Sequence, residues 1–140
     1  MNFLLETNVI SEWIRPRPDP GVVQWLDEAD EDRVFISVVT LAELRDGTER
    51  LPDGARRRQL EAWLTDDLRV RFEGRILDVD AEVADRWGRI KARRQATGRP
   101  IGPMDAFIAA TAEHHGMTLV THNISDFDLL GVALTNPWTQ

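Results

Sequence analysis

Cysteine is absent from the sequence, and so are long apolar runs. The first absence excludes a disulfide framework, a thiol nucleophile and a cysteine-ligated zinc site. No apolar stretch approaches the roughly 18 residues that a membrane-spanning helix needs. The opening segment 1–6 has no basic region and too short an apolar run for a secretory signal. We therefore expect a cytoplasmic protein without a membrane partner, and its length of 140 residues predicts a single domain over residues 1–140.

Basic residues are in deficit, because 17 Lys and Arg face 24 Asp and Glu, which gives a formal net charge of −7. Taken alone, this balance argues against a nucleic-acid binder, which is usually basic. Net charge conceals distribution, however, and acids gathered at one site become favourable once a metal cation is bound. Basic clusters remain at positions 56–58 and 91–99.

Short apolar segments alternate with stretches of helical periodicity along the chain. The segments predict strands near residues 3–5, 33–36, 75–79, 117–121 and 132–134. The stretches between them predict helices over residues 7–14, 20–29, 55–72, 80–96 and 103–115, and one more that begins at Ser37 or Thr40. This order predicts an α/β fold with a central parallel sheet of four to five strands flanked by helices. In such sheets ligands bind outside the carboxyl ends of the strands.

Four acidic residues fall at or just after predicted strand ends or in a first helical turn. They are Glu6, Glu43, Asp105 and Asp126. Mg²⁺ and Mn²⁺ are hard cations that prefer oxygen ligands, and such a site suits phosphodiester hydrolysis. Spacing alone leaves another interpretation open for each acid, namely a helix cap, a solvated loop or a partner of the helix dipole. From spacing alone the prediction is an α/β domain with a candidate acidic cleft.

Four sequence motifs around these acids, and the end of the chain, resemble those of a known family. They are Leu4–Glu12, Val38–Gly47, Pro103–Ala112, Leu119–Phe127 and Asn136–Trp138. Together they are similar, in the right order and over nearly the whole chain, to PIN-domain proteins. The similarity is to the VapC-type and FitB-type toxins of bacterial toxin–antitoxin pairs.

The resemblance implies a fold, an activity and partners. It implies a Mg²⁺- or Mn²⁺-dependent endonuclease that cuts RNA, a homodimer, and a small cognate antitoxin that joins it in a heteromeric complex. Carried over residue by residue, it implies that Glu6, Glu43, Asp105 and Asp126 are the catalytic acids. Of these, Glu6, Asp105 and Asp126 would hold the metal. The side chains of Thr7, Asn8 and Asn123 would form hydrogen bonds around these ligands.

The first acid departs from the family pattern, in which Asp is followed by Thr and Asn. Glu6 places its carboxylate oxygens farther from the strand by roughly 1.5 Å, one carbon–carbon bond. This departure leaves a second hypothesis open, a weak or inactive PIN-fold dimer that mainly binds an antitoxin. A phospho-acceptor receiver domain also places acids at strand ends, but it needs a pair of acids after the first strand and a late lysine. Here the first strand is followed by Glu6-Thr7-Asn8, and the last lysine is Lys91.

Overall fold

The structure is a computed structural model that describes residues 1–128 and 130–139. Its strands are β1 (Phe3–Leu5), β2 (Val34–Ser37), β3 (Ile76–Leu77), β4 (Thr118–Val120) and β5 (Leu134–Thr135). Its α-helices are α1 (Thr7–Trp13), α2 (Pro20–Glu28), α3 (Val38–Glu49), α4 (Ala55–Ala62), α5 (Arg69–Arg71), α6 (Ala81–Ala96), α7 (Pro103–His115) and α8 (Ile124–Phe127). A 3₁₀ turn (Glu31–Arg33) precedes β2.

The five strands form one sheet in the order β3-β2-β1-β4-β5, and every pairing is parallel. Strand β1 lies at the centre, where Phe3 faces Val34 of β2 on one side and Thr118 of β4 on the other. The predicted α/β fold with a parallel sheet is therefore confirmed. All carboxyl ends of the strands meet at one edge, which we call the carboxyl edge.

Two cores cover the two faces of the sheet, because successive strand residues point to opposite sides. Leu4 and Leu119 pack with α6 and α7 on one face, in a cluster that includes Ile90 and Ile108. Leu5 and Val120 pack on the other face with residues of α1, α2 and α3, among them Val9, Val22 and Leu44. The adjacent strands β1 and β4 are buried on both sides, which explains their uninterrupted apolar sequence.

Local signals at helix ends agree with the structure. The side chain of Asp19 accepts hydrogen bonds from the first turn of α2, which opens with Pro20. Ser37, rather than Thr40, caps α3. Asp80 caps α6, and α7 ends at Gly116 in the left-handed conformation with φ of 63°.

The helix predicted over residues 55–72 differs from a regular α-helix. Helix α4 continues without a break into a π-helical segment (Trp63–Leu68) and then into α5. The wider turn keeps Leu64 and Leu68 buried against the sheet, although the spacing of apolar residues did not indicate a change of winding. Among the described residues, no helix is long and apolar enough to cross a membrane.

Candidate active site

The carboxyl edge of the sheet brings acids from four segments of the chain together. Glu6 follows β1, and its backbone N–H donates to the carbonyl oxygen of Val120 at the end of β4, 2.9 Å away. Glu43 lies in α3, which follows β2 directly, and Asp105 lies in the first turn of α7. Asp126 lies in α8, shortly after β4. The charges of the other three acids all act on Glu6, so the four carboxylates share one cleft, the acidic cleft.

Glu6 is the buried member of the acidic cleft, with an exposed fraction of 6%. It is the N-cap of α1, and its Oε2 accepts a hydrogen bond from the backbone N–H of Asn8 at 3.0 Å. Burial raises the pKa of Glu6 to about 7, against the opposing effect of the Asn8 hydrogen bond. The charges of Asp105, Glu43 and Asp126 raise this pKa further. Glu6 therefore gains or loses its proton near neutral pH.

Glu43 is held by a chain of two hydroxyl groups. Oγ1 of Thr7 donates to Oε1 of Glu43 at 2.6 Å. A hydroxyl group has one proton, so Thr7 accepts its second hydrogen bond from Oγ1 of Thr40, 3.0 Å away. Thr40 is fully buried, which anchors the chain in the protein interior. The arrangement fixes one oxygen of Glu43 and leaves Oε2 without a donor among the described residues.

Asp105 and Asp126 complete the acidic cleft. Burial raises the pKa of Asp105 above its ordinary value, and the charges of Glu43 and Asp126 add to the rise. The side chain of Asp126 lies at an exposed position of α8. For both Glu6 and Asp105, burial is the largest cause of the raised pKa, and the charges of neighbouring acids add to it.

The acidic cleft holds negative charge that the protein itself does not neutralise. Within the described part of the chain, none of its four carboxylates forms an ion pair with Lys, Arg or His. Clustered carboxylates with raised pKa values are typical of functional sites. The arrangement attracts a cation, whether a metal ion or a basic side chain of another molecule.

Comparison with known families agrees with this architecture, since the model of the PIN domain matches residues 3–131. The chain belongs to the PIN-domain family. The resemblance inferred from the sequence motifs is thus confirmed.

Two curated relatives of this PIN domain match it over nearly their whole length. Toxin FitB of Neisseria gonorrhoeae is 40% identical over 97% of this chain and 98% of its own length. The VapC ribonuclease Y4jK of Sinorhizobium fredii is 35% identical over 97% of both chains. A solved structure, FitAB bound to an IR36 DNA fragment, matches with a TM-score of 0.92 and 38% identity, over 99% of this chain and 96% of that one.

The three polar residues predicted to support the acids lie in different environments of this PIN domain. Thr7 contacts Glu43 as described, and the backbone of Asn8 contacts Glu6. The side-chain oxygen Oδ1 of Asn8 is buried and accepts no hydrogen bond from a described residue. Asn123 lies exposed at the start of α8 and forms no capping bond through its side chain. Their predicted roles around a metal stay predictions.

The side chains of the acidic cleft fit a divalent cation by their chemistry. All the donors are oxygens, which Mg²⁺ and Mn²⁺ prefer, and the buried Oδ1 of Asn8 is a further oxygen without a partner among the described residues. Within the described residues, no group of three or more His, Asp or Glu side chains is placed to hold a metal ion, so the metal site stays a prediction. Mg²⁺ keeps several waters and uses few carboxylates.

Thr40 is a functional candidate that the sequence motifs did not single out. We expected it only as a cap of α3, and Ser37 takes that role. Its actual contact is with Thr7, 33 positions away in sequence. The available signal was its place one helical turn before Glu43, which puts both side chains on one face of α3.

Proposed function

We propose that this PIN domain is a metal-dependent RNA endonuclease and the toxin of a type II toxin–antitoxin pair. The observation that carries the proposal is the acidic cleft, in which the charges of three acids act on Glu6 and no described Lys, Arg or His forms an ion pair with any of the four carboxylates. The names of the relatives, a toxin and a ribonuclease, support this function over that of a binding module without catalysis.

Each acid has a role in the proposal that follows from its environment. Glu6, Asp105 and Asp126 would hold Mg²⁺ or Mn²⁺, because they supply three carboxylates from three separate segments. When bound, the cation neutralises charge on the phosphoryl group and makes a water molecule more acidic. Glu43 orients the attacking water through Oε2, because the contact with Thr7 fixes its other oxygen. A carboxylate in this place can take the proton that the water loses.

The protonation state of Glu6 decides whether the acidic cleft accepts a cation readily. With a pKa of about 7, half of the metal-free molecules carry a proton on Glu6 near neutral pH. Binding of a cation requires the ionised form, so it releases this proton. Cation binding should therefore weaken as pH falls below about 7.

The proposal includes two protein partners. The first is a second copy of the chain in a homodimer, and the second is a small antitoxin. The relative in the solved structure of FitAB is found in an assembly on DNA, which supports a heteromeric complex here. A basic side chain of the antitoxin would enter the acidic cleft and compete with the metal, as a charge-assisted pair. A strict monomer in sedimentation at micromolar concentration would contradict the homodimer.

Cleavage of RNA with matched controls tests the enzymatic part. Purified chain is incubated with total RNA and Mg²⁺ or Mn²⁺, with and without EDTA, beside the variants D105N and D85N. Asp85 forms a surface ion pair with Arg89 on α6, outside the acidic cleft, so D85N controls for the loss of one charge. We expect cleavage that requires the metal, survives D85N and falls at least roughly 100-fold in D105N. Cleavage that is equal in D105N would refute the role of the acidic cleft.

A further inference from the structure

Arg94 is a buried cation close to the acidic cleft. It lies in the last turn of α6 with an exposed fraction of 8%. Its guanidinium group donates to three backbone carbonyls, those of Arg99 at 2.6 Å, Asp126 at 3.0 Å and Asp128 at 3.4 Å. None of the ion pairs among the described residues involves Arg94. A buried guanidinium is costly unless its donors are satisfied, so these carbonyl contacts define its place in the fold.

The contacts of Arg94 join two segments that are distant in sequence. Helix α8 carries Asp126, and a short helix leaves its last carbonyl groups without partners in the helix. Arg94 supplies the missing donors from α6, 32 positions away from Asp126. Arg99 adds a contact, because its Nη2 donates to the carbonyl oxygen of Ser125 at 3.1 Å. Two arginines therefore donate to backbone carbonyls of α8.

The consequence concerns the carboxylate of Asp126. Its side chain is exposed, and no described residue donates a hydrogen bond to it, so the backbone of α8 fixes only the point from which the side chain starts. Its charge nonetheless acts on both Glu6 and Asp105. Arg94 contacts the carbonyl oxygen of Asp126 at 3.0 Å, and the N–H of Asp126 donates to the carbonyl oxygen of Asn123 at 3.1 Å.

We propose that Arg94 is a positioning residue, which holds the backbone of Asp126 so that its carboxylate stays in the acidic cleft. The proposal rests on the proposed function for its catalytic consequence, though not for its structural one. A guanidinium fork can satisfy several carbonyls at fixed angles, whereas an ammonium group is a single point of charge. Lysine at position 94 should therefore restore only part of the effect.

Arg75 offers a matched control, because it performs the same kind of contact far from the acidic cleft. Its guanidinium donates to the carbonyls of Glu31, Val34 and Arg71. Val34 opens β2, so these contacts lie at the amino ends of the strands, across the sheet from the carboxyl edge. If Arg94 has only a structural role, R94M and R75M should have similar effects. If Arg94 positions Asp126, the effects of the two variants should differ.

The first test measures the backbone of α8 without metal or RNA. Amide hydrogen exchange is compared in the wild type, R94M, R94K and R75M, each confirmed as folded by circular dichroism. We expect faster exchange over residues 124–128 in R94M, a smaller change in R94K, and none there in R75M. Wild-type exchange over this segment in both variants of Arg94 would overturn the proposal. If R94M does not fold, R94K and R75M carry the same comparison.

The second test measures the consequence for the acidic cleft through a double-mutant cycle with D126A. We expect R94M to weaken Mn²⁺ binding, titrated by calorimetry, and to lower kcat for RNA cleavage, each by roughly 10- to 100-fold. R75M should leave both values unchanged at temperatures well below its melting point. If Arg94 acts through Asp126, R94M should have no further effect in the D126A background. Independent, multiplying effects would contradict the proposal.

The two tests separate this proposal from the proposed function. If the wild type binds no Mn²⁺ and cleaves no RNA, the proposed function fails, and the exchange experiment still decides whether Arg94 holds Asp126. If the wild type cleaves RNA and R94M leaves the exchange of residues 124–128 unchanged, the proposed function stands and the role of Arg94 is refuted.

Discussion

Two carboxylates that each cap a helix have opposite environments in this protein. Glu6 caps α1 in the acidic cleft, and Asp19 caps α2 at the surface. Glu6 accepts one hydrogen bond from a described residue, whereas Oδ2 of Asp19 accepts four. The pKa of Glu6 is raised to about 7, mainly by burial, and that of Asp19 is lowered, mainly by the backbone N–H of Thr139.

The contacts of Asp19 join an early segment of the chain to a residue near its end. Its Oδ2 accepts from the backbone N–H groups of Gly21, Val22 and Thr139 and from the hydroxyl of Thr139. Thr139 lies 120 positions away, and its Oγ1 accepts in turn from the N–H of Gly21. We call this group of contacts the terminal clasp. Four hydrogen bonds from the protein converge on this one oxygen of the carboxylate.

The comparison shows how a carboxylate group can serve either stability or function. A carboxylate surrounded by donors stabilises the fold, because its charged form is favoured in the native state. A carboxylate that is buried with other acids destabilises the fold in its charged form, and a bound cation would relieve this cost. A change of side-chain length or charge at Glu6 should therefore have the opposite effect on activity or stability from the same kind of change at Asp19.

The largest expected effect comes from shortening Glu6. In E6D, Asp keeps the N-cap of α1 and moves its oxygens closer to the strand, as in most of the family. Mg²⁺ demands near-ideal geometry, so we expect RNA cleavage to rise roughly 10- to 100-fold over the wild type. Rates are compared on the same RNA with the same metal and matched circular dichroism.

The control is the opposite change at the terminal clasp. D19E should leave the cleavage rate unchanged and lower the melting temperature, because a longer side chain disturbs four hydrogen bonds. Equal and substantial cleavage by the wild type and E6D would mean that Glu6 serves as well as Asp.

Removal of the charge on Glu6 should stabilise the metal-free protein in a pH-dependent manner. The pKa of Glu6 rises from 4.5 to about 7 on folding, so the native state binds more protons between these values. Stability therefore falls as pH rises through this window, and E6Q removes the loss. We expect a gain of up to about 3 kcal/mol at pH values above the window, and none below it.

This gain is measured by urea unfolding in EDTA at several pH values, with D85N as the control for a surface charge. D85N removes one exposed charge outside the acidic cleft, where Asp85 pairs with Arg89. A gain for E6Q that is the same at all pH values would contradict an electrostatic origin.

A methyl group added at Gly21 should break contacts of the terminal clasp. A Cβ atom on Gly21 would lie 2.4 Å from the carbonyl oxygen of Pro137 and 2.8 Å from the backbone nitrogen of Thr139. Both are backbone atoms, so the segment itself must shift, and we expect G21A to lower the free energy of unfolding by about 1–3 kcal/mol. Gly47, where a Cβ meets nothing within 4 Å, supplies the control G47A. The cleavage rate of G21A should match the wild type, and a lost activity would show that the two regions are coupled.

The smallest effect is expected from D19N. Asn keeps the N-cap of α2 and loses the charge that four donors favour. The folded pKa of Asp19 is lowered from 3.8, so its contribution is present above this value and is lost as pH falls through the folded pKa. We therefore expect D19N to melt a few degrees lower near neutral pH and to approach the wild type in acid. Equal melting temperatures at neutral pH would show that the hydrogen bonds, and not the charge, stabilise the terminal clasp.

Local features of the fold were accessible from the sequence, because they depend on neighbours within a few positions. The alternation of apolar strands and helical stripes predicted the parallel sheet, and the helices predicted over residues 20–29, 80–96 and 103–115 agree with α2, α6 and α7 to within one residue. The position of Glu6 directly after a strand, together with the family resemblance, predicted the carboxyl edge as the site. The π-helical segment 63–68 was missed, since a change of winding leaves no mark in the spacing of apolar residues.

The sequence by itself thus determined which elements form and which acids stand at their ends. Only the tertiary structure decided the contacts that tune those acids. Thr40 reaches Glu43 through Thr7, and Arg94 reaches the backbone of Asp126 across 32 positions. The physical reason is that helix caps and periodicity are local, whereas burial and hydrogen bonding between segments depend on which faces the sheet brings together. Glu6 is an ordinary acid in the sequence, and it is the packing around the carboxyl edge that raises its pKa to about 7.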